Sequence, residues 1–326
     1  MAWKVMGAYC DRMNRVTAFA PGCIGNVGPG LDILGMAVAG PGDRVTVERS
    51  PAAGIRITDP GHTDLPRDPA QNTAGIAARE VLRKMQASSM GITLSVRKGL
   101  PLAGGQGGSA ASAVAAAVAT NALLGGSLGR EDLLECCLVA EETVAGRHLD
   151  NIAPSLMGGV ILIRSMQPLD LVSLPVPAAL RVVMAYPDQR MATREGRAAL
   201  PAEVTRAVAL FQAAQVGALV AALASGDLAL LGRAIDDRIA EPARSPMLRG
   251  FSEAKAAALA AGALGCSISG SGPTAFAFVD DEDVGLRVRE AMTAAYRAAG
   301  LACQTRLSEV DRLGARIETD PPESIA

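Results

Sequence analysis

Apolar and polar residues alternate over 15–20, 43–49, 55–58 and 92–97, in runs rich in β-branched side chains and separated by Pro and Gly clusters, so these segments predict strands. Apolar spacing of three and four predicts helices over 71–86, 109–124 and 131–145, the last with Glu131 and Asp132 in its first turn. The run GVILIR, 159–164, predicts a further strand. A hydrophilic, proline-punctuated stretch, 165–178, separates it from a new strand over 180–185 and is where one domain is expected to give way to the next. Beyond it the pattern predicts helices near 202–224, 227–240 and 251–263, a strand-turn-strand across 265–279, a helix near 283–299 and a strand near 301–308. The tail from Glu318 to Ala326 has two prolines and little to bury, and is expected to fray. A chain of 326 residues, set against about 150 per domain, points to two domains, expected over 1–168 and 169–326.

Composition narrows the partners. Hydrophobic residues make up 49% of the chain and the formal net charge is -2, so no strong field draws it to nucleic acid or a membrane surface, and a small-molecule ligand is expected instead. Six cysteines without a CxxC pair or regular spacing point to a reduced compartment. Lys4, Asp11, Arg12 and Arg15 interrupt the first twenty residues, so a signal peptide is not expected and the cytoplasm is the expected location. The apolar run Ala110–Leu124 is shorter than the roughly 20 residues a bilayer needs and reads as a buried helix. His62 and His148 are the only histidines, and neither a zinc-type cluster nor a GxSxG elbow occurs, which argues against a metallohydrolase and a serine hydrolase.

The candidate chemistry sits at 103–109. After the strand ITLSVRK, the segment LPLAGGQGGSAASAVAAA carries a Gly-rich turn into the start of an Ala-rich helix. Unpaired N–H groups at a helix start favour phosphate, and glycines let backbone approach it closely. A Walker A loop is excluded because no GK[ST] follows, and a Rossmann loop because no strand ending in an acid lies about 20 positions on. Ser109 is placed to reach a phosphate oxygen or its magnesium.

This loop resembles the second motif of the GHMP kinases, Pro, small residues, then Gly-Leu-Gly-Ser-Ser-Ala, with Gln106 for the leucine and Gly108 for the first serine. Three further segments share the resemblance. Ala20–Val38 carries Pro21, Asn26, Gly28, Pro29, Gly30, Asp32, Leu34 and Gly35 at the spacing of the family's first motif in its homoserine-specific branch. Ile268-Ser-Gly-Ser-Gly-Pro-Thr274 matches the third motif, whose N–H groups are expected to close over the nucleotide loop. His148–Gly159, HLDNIAPSLMGG, resembles the HxDNxAPxxxGG segment of the same branch.

The resemblance implies an α+β, two-domain fold: an N-terminal α/β domain with a left-handed β-α-β crossover and a ferredoxin-like C-terminal domain. It implies ATP-dependent phosphorylation of L-homoserine to O-phospho-L-homoserine, a step towards threonine, with Mg2+ as cofactor. ATP would lie against Asn72 and the stretch Pro101, Leu102, Ala103, Gly104, Gly105, Gln106, Gly107, Gly108, Ser109, Ala110 and Ala111. Ser109 and Glu141 would hold the metal, with Glu142 the competing assignment. TREGRAALP and DRIAEPARSP resemble family segments that put Arg197 and Arg244 on the substrate carboxylate, where guanidinium forks suit both oxygens. Asn26, Asp32, His148 and Asp150 remain for the ammonium and hydroxyl ends. Asp32 is expected to orient the substrate and stay ionised, with Thr193 sharing the hydroxyl contact. A homodimer is the expected assembly. Two other readings stand beside this one: another GHMP kinase, acting on mevalonate, an isoprenoid precursor or a sugar, and a non-catalytic ligand-binding protein of the same fold.

Overall fold

A computed structural model describes residues 14–144 and 146–318. The readings of the first residues and of the C-terminal tail fall on residues outside these. Two sheets organise the chain. The first has seven strands: β1 (Arg15–Gly25), β2 (Leu34–Ser50), β3 (Gly54–Asp59), β4 (Gly91–Arg97), β5 (Val160–Met166), β6 (Leu169–Leu174) and β11 (Arg316–Glu318). Its main path runs β11-β1-β2-β4-β3, while β5 pairs with the opening of β2 at Leu34–Met36 and carries β6 outward. The parallel pair β3–β4 is bridged by helix α1 (Thr73–Lys84), which supplies the crossover unit.

Helices α2 (Gly108–Leu123) and α3 (Arg130–Glu142) pack with α1 beneath this sheet. Every residue of α2 from Ala110 to Leu123 is buried. A helix apolar on all sides belongs inside a domain, and its alanines allow backbones on both sides to come close. The alternation in β2 and β4 puts Val45, Val47, Ile92 and Leu94 into this core. The short helix α4 (Ile152–Met157) follows α3 and leads into β5.

The second sheet is fully antiparallel, in the order β10 (Cys303–Ser308), β7 (Arg181–Pro187), β9 (Ala275–Val279), β8 (Gly265–Ile268). Taken in chain order this is fourth-first-third-second, the ferredoxin-like arrangement. Between β7 and β8 run α5 (Thr193–Ala198), α6 (Arg206–Ser225), α7 (Leu228–Ala234), α8 (Ala240–Arg244) and α9 (Phe251–Ala260), and α10 (Glu282–Ala298) joins β9 to β10. The sheets share one core, in which Leu34, Met36 and Val38 of β2 meet Val182, Phe276 and Phe278.

Two expectations change. The boundary expected at 168/169 lies inside the β5–β6 hairpin, so the stretch 165–178 supplies a strand to the first sheet and the change of sheet falls after Leu174. The chain also returns to the first sheet at β11. The helix expected over 227–240 stops at Ala234, because the carboxylate of Asp237 accepts the N–H groups of Ile239, Ala240 and Glu241 and starts α8 instead. The helix expected near 202–224 is α6, whose 20 residues are long and apolar enough to span a bilayer by length and composition. Its Leu219, Ala222 and Leu223 are seated in the shared core.

Gly35 shows how tightly β2 meets the segment before α4. A Cβ there would lie 1.8 Å from the carbonyl oxygen of Asp150. Gly35→Ala is therefore expected to destabilise the fold by about 1–3 kcal/mol or more, read as a lower urea midpoint; an unchanged midpoint would contradict this packing.

Candidate active site

A cleft of about 560 Å³ opens between the sheets, with the Gly-rich loop along one wall. The loop's carbonyls are all engaged. Those of Ala103, Gly104, Gly105, Gln106, Gly107 and Gly108 accept from Met191 N, Thr274 Oγ1, Ser269 Oγ, Cys23 N, Ala111 N and Lys98 Nζ respectively. Among the described residues no N–H from Leu102 to Ala110 has a protein acceptor. Left-handed backbone at Gly105 (φ 71°) and Gly107 (φ 67°) makes the turn, and at Gly105 a Cβ would meet Ser269 O at 2.6 Å. The free N–H groups and the positive end of the 16-residue α2 form an anion cradle.

The third motif meets the loop through one N–H group and two hydroxyls. Thr274 N donates to Gly104 O at 3.3 Å, as expected of this motif, while Ser269 N donates to Thr274 O, Gly270 N to Gly25 O and Gly272 N to Ser269 O; Ser271 N has no acceptor among the described residues, and Ser271 lines the cleft. Its hydroxyls hold the back of the loop, at 2.6 Å for both Ser269 Oγ to Gly105 O and Thr274 Oγ1 to Gly104 O. Gln106 belongs to the same clamp, donating from Nε2 to Thr274 Oγ1 at 3.2 Å. Gln106, Ala110 and Ala111 lie outside the cleft lining, so only backbone can link them to the nucleotide. Asn72 lines the cleft, yet its side chain caps α1 through Ala74 N (3.0 Å) and holds Pro66 O (2.9 Å), shaping the wall beside Leu65, Pro66 and Val96.

Lys98 and Asp43 went unnoticed in the sequence. Lys98 Nζ pairs with the fully buried Asp43 and reaches Gly108 O at 2.9 Å and Ser112 Oγ at 3.0 Å. Asp43 also accepts from Gly99 N (3.0 Å), Leu100 N (3.2 Å) and Ser112 Oγ (2.6 Å). The available signal was an acid at the start of a strand otherwise buried on alternate positions. Lys98 Nζ lies 3.4 Å from where a Cβ on Gly108 would stand, so the ammonium neighbours the position where the family's hydroxyl is missing.

Ser109 Oγ donates to Glu141 Oε1 at 2.9 Å, and Glu141 Oε2 is buried with no partner among the described residues. Burial, with the charge of Asp150 adding to it, pushes the Glu141 carboxyl up to about 7 against the Ser109 bond and Lys98. Glu142 points to solvent and meets Arg147 at 3.3 Å, which separates the two assignments. Asp150 is likewise pushed up to about 7, by burial first and by the charge of Asp32 second.

At the far end, Arg197 grips Asp32 through both Nη atoms, at 3.1 and 2.7 Å, and His148 Nδ1 lies 3.4 Å from the same carboxylate. Burial raises the Asp32 pKa, but the Arg197 bond and the charges of His148, Arg197 and Arg244 outweigh it and hold the group below its ordinary value. Burial lowers the pKa of His148. Asn26 accepts from Asp32 N (3.1 Å) and donates to Gly270 O (3.2 Å). The buried Arg244 donates to Gly196 O (3.0 Å) and Gly270 O (2.9 Å). Thr193 lines the cleft at the exposed start of α5. Thus Asp32 occupies the Arg197 fork, and Arg244 is held by carbonyls with its second terminal nitrogen unengaged among the described residues.

The chain matches the family models for the GHMP kinases N terminal domain over residues 72–159 and GHMP kinases C terminal over 219–298. It is 43% identical over 311 residues to a homoserine kinase of Arabidopsis thaliana, covering 93% of this chain and 84% of that one. To a homoserine kinase of Chlorobium phaeovibrioides it is 41% identical, over 94% of this chain and all of the relative. The crystal structure of homoserine kinase from Cytophaga hutchinsonii superimposes with a TM-score of 0.91 at 39% identity, covering 94% of this chain and 98% of that one. The crystal structure of L. major mevalonate kinase in complex with R-mevalonate superimposes with a TM-score of 0.70 at 16% identity, over 92% and 98% of the two chains, which is a likeness of fold alone.

Asp150 generates a pH prediction. With its pKa raised to about 7, it carries less charge as pH falls through that value and attracts an ammonium group less. The acid limb of kcat/KM for L-homoserine, to which Glu141 contributes as well, is expected to survive in Asp32→Asn and to weaken in Asp150→Asn; a limb abolished by Asp32→Asn would make Asp32 the titrating group.

Proposed function

The chain belongs to the GHMP kinases and within them to the homoserine kinases, which phosphorylate L-homoserine with ATP, and from that premise we propose how its own residues divide the work. The observation that carries the reading is the opposition of two charged ends across one cleft, the N–H cradle with Ser109 and Glu141 facing the Asp32, Arg197 and Arg244 group. The unpaired N–H groups from Leu102 to Ala110 receive the phosphates of ATP, with the ammonium of Lys98, paired to Asp43, fixed beside Gly108. The apolar wall of Leu65, Pro66 and Val96 takes the base.

The substrate carboxylate docks on Arg244, whose position is set by the two carbonyls it already holds. Arg197 contributes charge to the same region while orienting Asp32. Asp32, ionised and bidentately held, directs the hydroxyl nucleophile, with Thr193 as a second contact. A strong base is not required, because a loose phosphoryl-transfer transition state builds little acidity on the attacking oxygen. Asp150 and Asn26 face the ammonium.

The donor set suits a magnesium ion: Glu141 has an unpartnered buried oxygen beside the Ser109 hydroxyl, and such ions commonly use one carboxylate plus substrate phosphates. When bound, the ion neutralises charge on the phosphate oxygens. The same reading places the chain in the cytoplasm. For the homodimer, α6 is the surface we favour: it carries no charged residue from Ala207 to Ser225, and Leu210 on it is 66% exposed.

Measuring ADP release with homoserine, mevalonate and galactose tests the reading, turnover being expected with homoserine alone. Arg244→Ala should then raise the homoserine KM about 30-fold or more, as losing one partner of a buried charge pair costs about 2 kcal/mol or more, with the ATP KM little changed. An unaltered homoserine KM would remove Arg244 from the carboxylate.

Glu141→Gln is expected to lower kcat and raise the magnesium requirement, because a neutral amide cannot offset the ion's charge, while Glu142→Gln does neither. A magnesium titration showing the reverse order would move the metal to Glu142.

A further inference from the structure

Helix α6 carries one deeply buried polar side chain, Gln212, in a segment otherwise apolar or small on its inner side. A buried amide is costly unless its hydrogen bonds are made, and a leucine or methionine would fill the same space without that demand. Gln212 makes them all to two other parts of the chain. Its Nε2 donates to Pro29 O at 2.8 Å and to Asp237 Oδ1 at 2.9 Å, and its Oε1 accepts from Arg238 N at 3.1 Å.

Each partner leads to the substrate end of the cleft. Pro29 precedes Gly30, whose carbonyl accepts from Ile33 N (3.0 Å) and Leu34 N (2.9 Å) and so closes the turn that presents Asp32. Asp237 is the N-terminal anchor of α8, accepting Ile239 N, Ala240 N and Glu241 N at 2.8 to 3.1 Å. Arg244 is the last residue of that helix. Ile235, two residues before Asp237, packs against Gly28, where a Cβ would come within 3.3 Å of it. The loop of Asp32 and the arm of Arg244 come from distant parts of the sequence, and one amide side chain bonds to both.

We propose that Gln212 is a positioning residue for the amino-acid substrate: it sets the separation between the first-motif loop and α8, and with it the fit of the pocket formed by Asp32 and Arg244. It touches neither substrate nor nucleotide. The Gly-rich loop and Lys98 are held by other bonds, so the nucleotide end is independent of it. The proposal rests on the placement of Arg244 at the substrate carboxylate.

Gln212→Met keeps the side-chain length and removes both the donors and the acceptor. The homoserine KM is expected to rise about five- to thirtyfold, the scale of one to two lost hydrogen bonds, with the ATP KM within about twofold and the circular dichroism spectrum of the folded enzyme retained. In an Arg244→Ala background the same substitution should add little, because neighbours in one network are not additive. If Gln212→Met does not fold, Gln212→Asn, which draws the amide back by one methylene, is measured in its place. Equal rises in both KM values, full additivity with Arg244→Ala, or an unchanged homoserine KM would each overturn the proposal. Arg244→Ala alone separates the two failures: if it weakens homoserine and the Gln212 variants do not, only the positioning role falls, whereas if neither does, the carboxylate assignment falls with it.

Discussion

Six consecutive carbonyls, Ala103 to Gly108, each accept a hydrogen bond, and the donors come from β1, from the strand end at Lys98, from the loop at Met191, from the hairpin between β8 and β9 and from α2 itself. A backbone held on its acceptor side has its donor side free, which is what a phosphate needs. Because two of those donors are hydroxyls of the second sheet, the anion cradle exists only when both sheets are in place. The shared core of β2 with β7 and β9 therefore serves the site as much as it serves stability.

Charge is distributed along the cleft by the same packing. Asp32 and Asp43 are each met by a cation and by hydrogen-bond donors, and Asp32 is held below its ordinary pKa although partly buried. Glu141 and Asp150 are buried without a cation in contact among the described residues, and both are pushed up to about 7. The first pair orders arginine and lysine; the second pair is left wanting positive charge, one beside the phosphate cradle and one beside the amino-acid end. Our proposed reading uses that division, with a metal ion for Glu141 and an ammonium group for Asp150.

Much of this was legible beforehand. Strand alternation and helical spacing anticipated most elements, because each depends on which side chains a face must bury. The motifs located Ser109, Glu141, Asp32, Arg197 and Arg244 at one cleft, since local turns and helix starts depend on nearby residues. Reading failed where a residue's role is set by a remote partner. Asp43 looked like a strand residue and Lys98 like one of four lysines until the fold put them 55 positions apart in contact. Gln106 stands where the family has leucine and was expected against ATP, yet its side chain turns to Thr274, 168 positions away.

The sequence by itself determined most of the strands and helices, and through four motifs that resemble the GHMP kinases it determined the family and with it the α+β, two-domain fold, because periodicity, glycine placement and motif spacing are local and repeat in recognisable order. Only the tertiary structure decided which acids hold a cation and which do not, that the third motif clamps the loop with hydroxyls, that 169–174 joins the first sheet, and that Gln212 bonds to both Pro29 and Asp237. Those outcomes depend on desolvation and on hydrogen bonds between segments far apart in the chain, and neither exists until the sheets have packed.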